Sequence, residues 1–217
     1  MGDFIMEKVL NVKDNGDVTL DLNYIINNGY YSQQMAIIDL AHDDWSIIDM
    51  FSKSEHSSIR YEVVKRGSVS TVFTMIQDND DRVQLAIINR LTDEIAREMS
   101  TTGVYELNKY VFDRFITEYQ YVLQDFDLTK DMPETVVNNF RNILSTMLHV
   151  IINIYRRNIE IDPFKYLSEA VNQLTKEEFL NYTKILLNIK ENKTKDDNQN
   201  KVKKLKEKYD KIKYNIK

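Results

Sequence analysis

The sequence predicts an all-α protein whose N-terminal half is built from short stacked helical repeats. Three observations carry this. Only 5 Gly and 2 Pro occur in 217 residues, too few for the many tight turns of an all-β chain. Apolar residues recur at helical spacing over most of the length. Three apolar columns also return at one fixed interval. Met35, Ile59 and Val83 stand 24 residues apart, as do Leu40, Val64 and Ile88, and Phe51, Met75 and Met99. An interval of that size lies in the range of solenoid units.

Composition sets the outer bounds. With 42% apolar residues the chain can bury a core, which excludes a disordered protein. The lack of cysteine excludes disulfides, thiolate zinc sites and thiol nucleophiles together. Residues 1–10 carry Asp3 and Glu7 and lack the layout of a signal peptide. The apolar stretch at 147–154 is broken by His149 and Asn153 and is too short to span a bilayer. A cytoplasmic location is therefore expected, in host cytoplasm or virion if the chain is viral. The abundance of Asn, Lys, Ile, Asp and Tyr points to an AT-rich genome such as that of a low-GC bacterium, its phage or a large DNA virus. The net charge of −5 is unevenly spread. Residues 190–217 hold 11 Lys against 5 acids, so the body at 1–189 carries −11. An acidic body with a basic tail follows.

Along the chain, residues 1–31 are the exception to the helical pattern. Asp14-Asn15-Gly16-Asp17 is a turn signal, because Asn-Gly readily takes the positive φ angles of a tight hairpin turn. Leu10 and Val12 before it, and Val18, Leu20 and Leu22 after it, alternate with polar residues. A small β-hairpin or extended arm is expected. From 32 to 103 helices alternate with breaks of one to four residues. Asp43-Asp44 offers caps, Ser57-Ser58 precedes Ile59, and Gly67-Ser68 and Asp78-Asn79-Asp80-Asp81 mark breaks.

Ile59-Arg60-Tyr61-Glu62-Val63-Val64-Lys65-Arg66-Gly67, then 72–76, then Asp78-Asn79-Asp80-Asp81-Arg82-Val83 resembles helical repeats of the HEAT type. It is more closely similar to the leucine-rich-repeat variant, with its Val-Arg helix, break, second helix and Asp-rich turn. The likeness covers 34–99. It departs where Met35-Ala36 and Val83-Gln84 replace the Val-Arg pair. The resemblance implies stacking and an extended binding surface, and no reaction.

Residues 104–189 read as a helical bundle packed on the repeats. Leu107, Val111, Phe115, Tyr119 and Val122 form one stripe. Pro133 opens the next helix, whose apolar residues nearly surround it from Ile143 to Ile154. Asp162-Pro163 signals another start, and Thr175 with Glu178 forms a capping box. A polar linker is expected at 190–200, then a Lys-rich amphipathic helix at 201–217. Its stripe is Val202, Leu205, Tyr209, Ile212 and Ile216, at heptad spacing. Two heptads do not hold alone, so this helix needs the acidic body or a partner to dock on.

Chemical motifs are few. His42-Asp43 has the adjacent pair of metal phosphohydrolases, but only His56 and His149 remain as further histidines. A helix-end His before capping Asp residues is the better reading. Asp78-Asn79-Asp80-Asp81 has Arg82 where a calcium loop needs an oxygen ligand, and reads as a helix cap. His42, Arg66 and Arg90 share one repeat position. Such a row can hold phosphates or an acidic partner, or can serve the macrodipole at helix ends. No catalytic, cofactor or metal residue is assigned. The expected function is non-enzymatic: a protein–protein adaptor or structural component binding another protein or copies of itself. The partner-binding candidates are the row His42, Arg66, Arg90 and the tail stripe Val202, Leu205, Tyr209, Ile212, Ile216. The alternative is nucleic-acid binding through the basic tail and the Arg66/Arg90 row. The acidic body opposes it, since like charge repels phosphate within a Debye length of about 8 Å.

Overall fold

A computed structural model describes residues 10–12, 14, 18–100, 110–128, 132–157, 159, 161–189 and 195–214. The protein is mostly helical, with eleven α-helices among the described residues. Strands β1 (Leu10–Val12) and β2 (Val18–Leu20) pair antiparallel, with Leu10 opposite Leu20. Asn15, Gly16 and Asp17 of the expected turn lie outside the described residues. The chain divides into two compact units, Met1–Arg90 and Leu91–Lys217. The division between the units, at residue 90, lies inside a continuous helix. That helix carries no Gly or Pro from Asp81 to Ser100, so nothing in it breaks the backbone.

The first unit strings together short helices: α1 (Leu22–Asn28), α2 (Tyr31–Ala41), α3 (Trp45–Ile48), α4 (Ser57–Arg66), α5 (Val69–Thr74) and the start of α6 (Asp81–Ser100). A 3-10 turn over Asp49–Lys53 follows α3. Helix starts are set by side-chain caps. Asp21, Asp44 and Ser68 accept backbone N–H groups of Tyr24, Ser46 and Thr71. Asp80 accepts from Arg82 and Val83 at the start of α6. Each cap satisfies donors that a helix start leaves open.

Ile38, Ile48, Phe51, Ile59, Val63, Val64, Val72, Val83 and Ile87 are fully buried. Two of the expected columns are not buried in α2. Leu40 is 77% exposed and Met35 only half-buried. Helix α2 buries Gln34 and Ile38 instead, a face one residue earlier than a fixed interval demands. The reason is a polar contact inside the core. The Gln34 amide donates to the carbonyls of Ile25, Ile26 and Gly29 at 3.1, 3.1 and 3.0 Å, and its oxygen accepts from Ser54 Oγ at 2.6 Å. One buried glutamine thus closes the end of α1 and ties it to α2 and to the residue after the 3-10 turn.

The second unit holds the remainder of α6, α7 (Tyr110–Leu128), α8 (Glu134–Arg156), α9 (Pro163–Glu169), a 3-10 turn (Ala170–Asn172), α10 (Lys176–Asn188) and α11 (Lys195–Tyr214). Glu98 accepts from the N–H groups of Val111 and Phe112 at 3.0 and 2.9 Å, an acid placed on the start of α7. Helix α8 packs on α7 and α9. It buries Leu144, Met147, Leu148, Val150, Ile151, Ile152, Ile154 and Tyr155, and each large aliphatic among them contributes about 1.5–3 kcal/mol. The capping box at Thr175 and Glu178 forms in both directions. Pro163 stands at the first turn of α9, while Pro133 sits one position ahead of α8 as its N-cap. Helix α11 starts at Lys195, inside the stretch expected to be a linker.

Replacing Gln34 by Leu keeps the volume and removes every one of these hydrogen bonds. Buried carbonyls left without a partner cost about 1–3 kcal/mol each, and Gly29 N–H still reaches Ile25. The expected loss is about 2–3 kcal/mol, read as a lower urea midpoint. An unchanged midpoint would mean that water already serves those carbonyls.

Candidate functional site

The three members of the predicted row lie in the first unit, His42 and Arg66 at helix ends and Arg90 in the middle of α6. His42 follows α2 as an exposed C-cap with φ 49° and ψ −105°. Backbone of that kind suits glycine. Arg66 ends α4 and does not point into open solvent. Its guanidinium donates to the carbonyls of Ile38 at 2.8 Å and His42 at 2.9 Å, and pairs with Asp39 at 3.0 Å. Arg90, in α6, donates to the Lys65 carbonyl at 2.7 Å. Each arginine therefore reaches back to the C-terminal carbonyls of an earlier helix. The helix end that each arginine serves belongs to a neighbouring helix rather than to its own.

Arg60 works in the same way. It grips Asp78 through Nε and Nη2 at 2.6 and 3.0 Å while Nη1 donates to the Ser54 carbonyl at 2.8 Å. The hydrogen bond to Asp78 raises the guanidinium pKa above its ordinary value, so this charge is fixed. Gln84 repeats part of the contact one interval later, donating to the Asp78 carbonyl at 2.6 Å. The loop Asp78–Asp81 is thus a cap and a clasp: Asp78 also accepts from the Asp80 N–H.

The tail stripe is placed in the second unit. Val202, Leu205 and Tyr209 are buried, and α11 packs on α9, α10 and the 3-10 turn between them. The Tyr209 ring stacks on Phe179 at 4.5 Å. Lys208 Nζ donates to the Ser168 carbonyl and hydroxyl at 2.8 and 2.7 Å, and Lys201 lies over the Phe164 ring. The stripe is covered by its own chain. Ile212 remains 37% exposed, and Ile216 lies outside the described residues.

One constellation escaped the sequence. Tyr182 donates to Ser145 Oγ at 2.9 Å, and His149 Nδ1 donates to the Ser145 carbonyl at 2.8 Å, its ring edge-on to Tyr182. A serine nucleophile needs a base that accepts from its hydroxyl. Here the hydroxyl receives a proton donor, and the histidine nitrogen faces backbone. The i,i+4 spacing of Ser145 and His149 was visible, but not their Tyr182 partner on α10. Burial pushes the Tyr182 phenol up to about 12, and desolvation also raises Tyr119, whose hydroxyl donates to the Tyr166 carbonyl.

Among the described residues, no group of three His, Asp or Glu is placed to hold a metal ion. No described helix is long and apolar enough to cross a membrane. Compared with known proteins, the chain matches no family model, no curated protein and no solved structure.

The large side chains left open in the first unit include Tyr30, Tyr31, Leu40, Trp45 and Leu85. Leu40 and Trp45 flank the turn at 42–44, where Asp43 and Asp44 are exposed. Hydrogen bonds from Ser46 lower the Asp44 pKa, so this corner is apolar with an acidic rim.

Arg66→Ala should lower the stability of the first unit by about 1–3 kcal/mol, with Arg66→Lys recovering only part, because one ammonium cannot replace a forked donor. Urea unfolding of both variants checks this; an alanine variant as stable as the parent would free Arg66 for another role. For Tyr182 the sign is set by its raised pKa. The unfolded phenol loses its proton near pH 10 while the folded one keeps it until about 12. Its contribution is therefore complete below pH 10 and falls as pH rises through that window. Tyr182→Phe should flatten the alkaline slope in a pH series of melting temperatures.

Proposed function

We propose that this chain is a non-enzymatic protein–protein interaction protein, an adaptor or structural component built on short stacked helical repeats. The observation that carries the reading is the corner at α2 and α3. Trp45 is 57% exposed and Leu40 77%, beside two exposed carboxylates. Open tryptophan and leucine beside charge are the features of interface anchors, since apolar anchors supply affinity and a charged rim supplies orientation.

The repeat reading draws support from recurring contacts. Arg60 to the Ser54 carbonyl and Gln84 to the Asp78 carbonyl are the same bond moved by 24 residues. The caps Asp44 and Ser68, and His56 and Asp80, share that offset. The antiparallel pairing of β1 with β2 supports a hairpin arm ahead of the repeats.

A second reading, nucleic-acid binding, rests on the tail. Lys203, Lys204, Lys206 and Lys211 are exposed on α11. Arg66 and Arg90 add less to it than their spacing promised, because both hold backbone carbonyls.

Replacing Leu40 and Trp45 by Asp should leave the circular dichroism spectrum and melting of the chain unchanged, because both side chains are open. The same change should remove a specific protein captured by the parent from cells of its source. Retention of every captured protein by a folded double variant would refute the corner as the binding site. A mobility shift with duplex DNA that weakens steeply with salt and vanishes on reversing the tail lysines would favour the second reading.

A further inference from the structure

The outer face of α11 carries a charge order that fits itself. Between α10 and α11 runs an open groove of about 420 Å³, lined by Leu187, Val202, Lys203, Lys206, Glu207 and Asp210 among others. Leu187 is 41% exposed at its edge, and Leu180, two turns earlier on α10, is 43% exposed. The groove floor is apolar and the α11 wall is charged.

The four charges stand at 203, 206, 207 and 210, the spacing that brings residues to one side of a helix. Both cations come first and both acids second. None of the four takes part in an ion pair among the described residues. The order within the helix explains this in part, because Lys ahead of Glu at i,i+4 is the less favourable orientation. The pattern is antisymmetric about the point midway between Lys206 and Glu207. If a second α11 lies antiparallel across a two-fold axis at that point, Lys203 faces Asp210 of the other copy and Lys206 faces its Glu207. The reverse pairs form as well, giving four contacts of opposite sign and none of like sign.

We infer that a second copy of this chain docks on the groove between α10 and α11, with the two α11 helices antiparallel about a two-fold axis between Lys206 and Glu207. An isologous contact of this kind closes on itself and stops at two subunits. The charges at its rim set register and orientation, while Leu187 and the neighbouring apolar floor supply the buried area. Val202 belongs to the groove floor, whereas Leu205 and Tyr209 stay on the intramolecular side of α11 and are not part of the contact. None of the Leu40–Trp45 corner is used either, so this inference stands or falls apart from the proposed function.

The test uses the full chain and two charge variants, followed by light scattering after size-exclusion chromatography at low salt. The parent should run at twice the chain mass, shifting toward the single mass as salt is raised. An acidic variant, Lys203→Glu with Lys206→Glu, puts four carboxylates on the face. A basic variant, Glu207→Lys with Asp210→Lys, puts four lysines there. Each alone should run at the single mass with an unchanged circular dichroism spectrum, because all four positions are exposed. Mixed one to one, the two should return to the double mass. A parent that stays single at every concentration overturns the inference. So does a double-mass parent whose variants remain dimeric, or a mixture that fails to associate.

Discussion

The first unit depends on one constraint: short helices end often, and every end leaves carbonyls that need donors. A helix of four to eleven residues has nearly as many open backbone groups as internal bonds. The usual remedy is a glycine just past the end, and the chain has few. Gly29 and Gly67 close α1 and α4 with N–H bonds to Ile25 and Val63. At Gly67 a side chain would run into Asp49 Oδ1 and the Val63 carbonyl, which fixes glycine there for space as well as capping. Further open carbonyls are served by long side chains from other elements: Gln34 for α1, Arg66 for α2, Arg90 for α4, and Arg60 for the residues after the first 3-10 turn. These donors join neighbouring elements as they satisfy them. In this unit the same side chains cap helix ends and tie neighbouring elements together.

That economy explains why the Arg66 and Arg90 row looked functional. A cation repeated at a fixed interval is what a phosphate-binding face would show, and also what a chain of side-chain caps requires. Spacing alone cannot separate them. The acceptors here include carbonyls 24 to 28 residues back in the chain. A sequence records the donor and hides the acceptor, since every residue has a carbonyl. The same blindness hid Gln34. It sits in an apolar stretch as a polar residue that would ordinarily be assigned to the surface, and its burial follows from three carbonyls that gather around one amide.

What was legible came from residues whose preference is local. Thr175 with Glu178, Asp162 before Pro163, and Asp44 at a helix start all act where they stand. The helix from Glu134 to Arg156 was readable because its apolar residues turn nearly all the way round. Less legible was the phase of α2, where a non-local polar contact shifts the buried face away from Leu40. Helix α11 began earlier than its apolar stripe, because Asp196 and Asp197 suit a first turn as well as they suit a linker.

Helix α11 shows how far periodicity reaches. Its heptad spacing identified a face that must be covered, and Val202, Leu205 and Tyr209 are covered. Periodicity did not say by what. The cover is α9 and α10 of the same unit, and Phe179 under Tyr209 is the contact that aligns them. Once that face is filled, the helix presents its other side, and there the lysines are not uniform. Lys204 and Lys211 lie apart from the groove, whereas Lys203 and Lys206 line it together with Glu207 and Asp210. A basic tail counted by net charge is one object; seen on the helix it is an apolar seam, a mixed-charge wall and a basic edge. The mixed-charge wall is what distinguishes this tail from a simple polycation. A nucleic acid has no use for two carboxylates in its binding face, since they would repel phosphate. A copy of the same helix, turned end for end, offers each of those carboxylates a lysine.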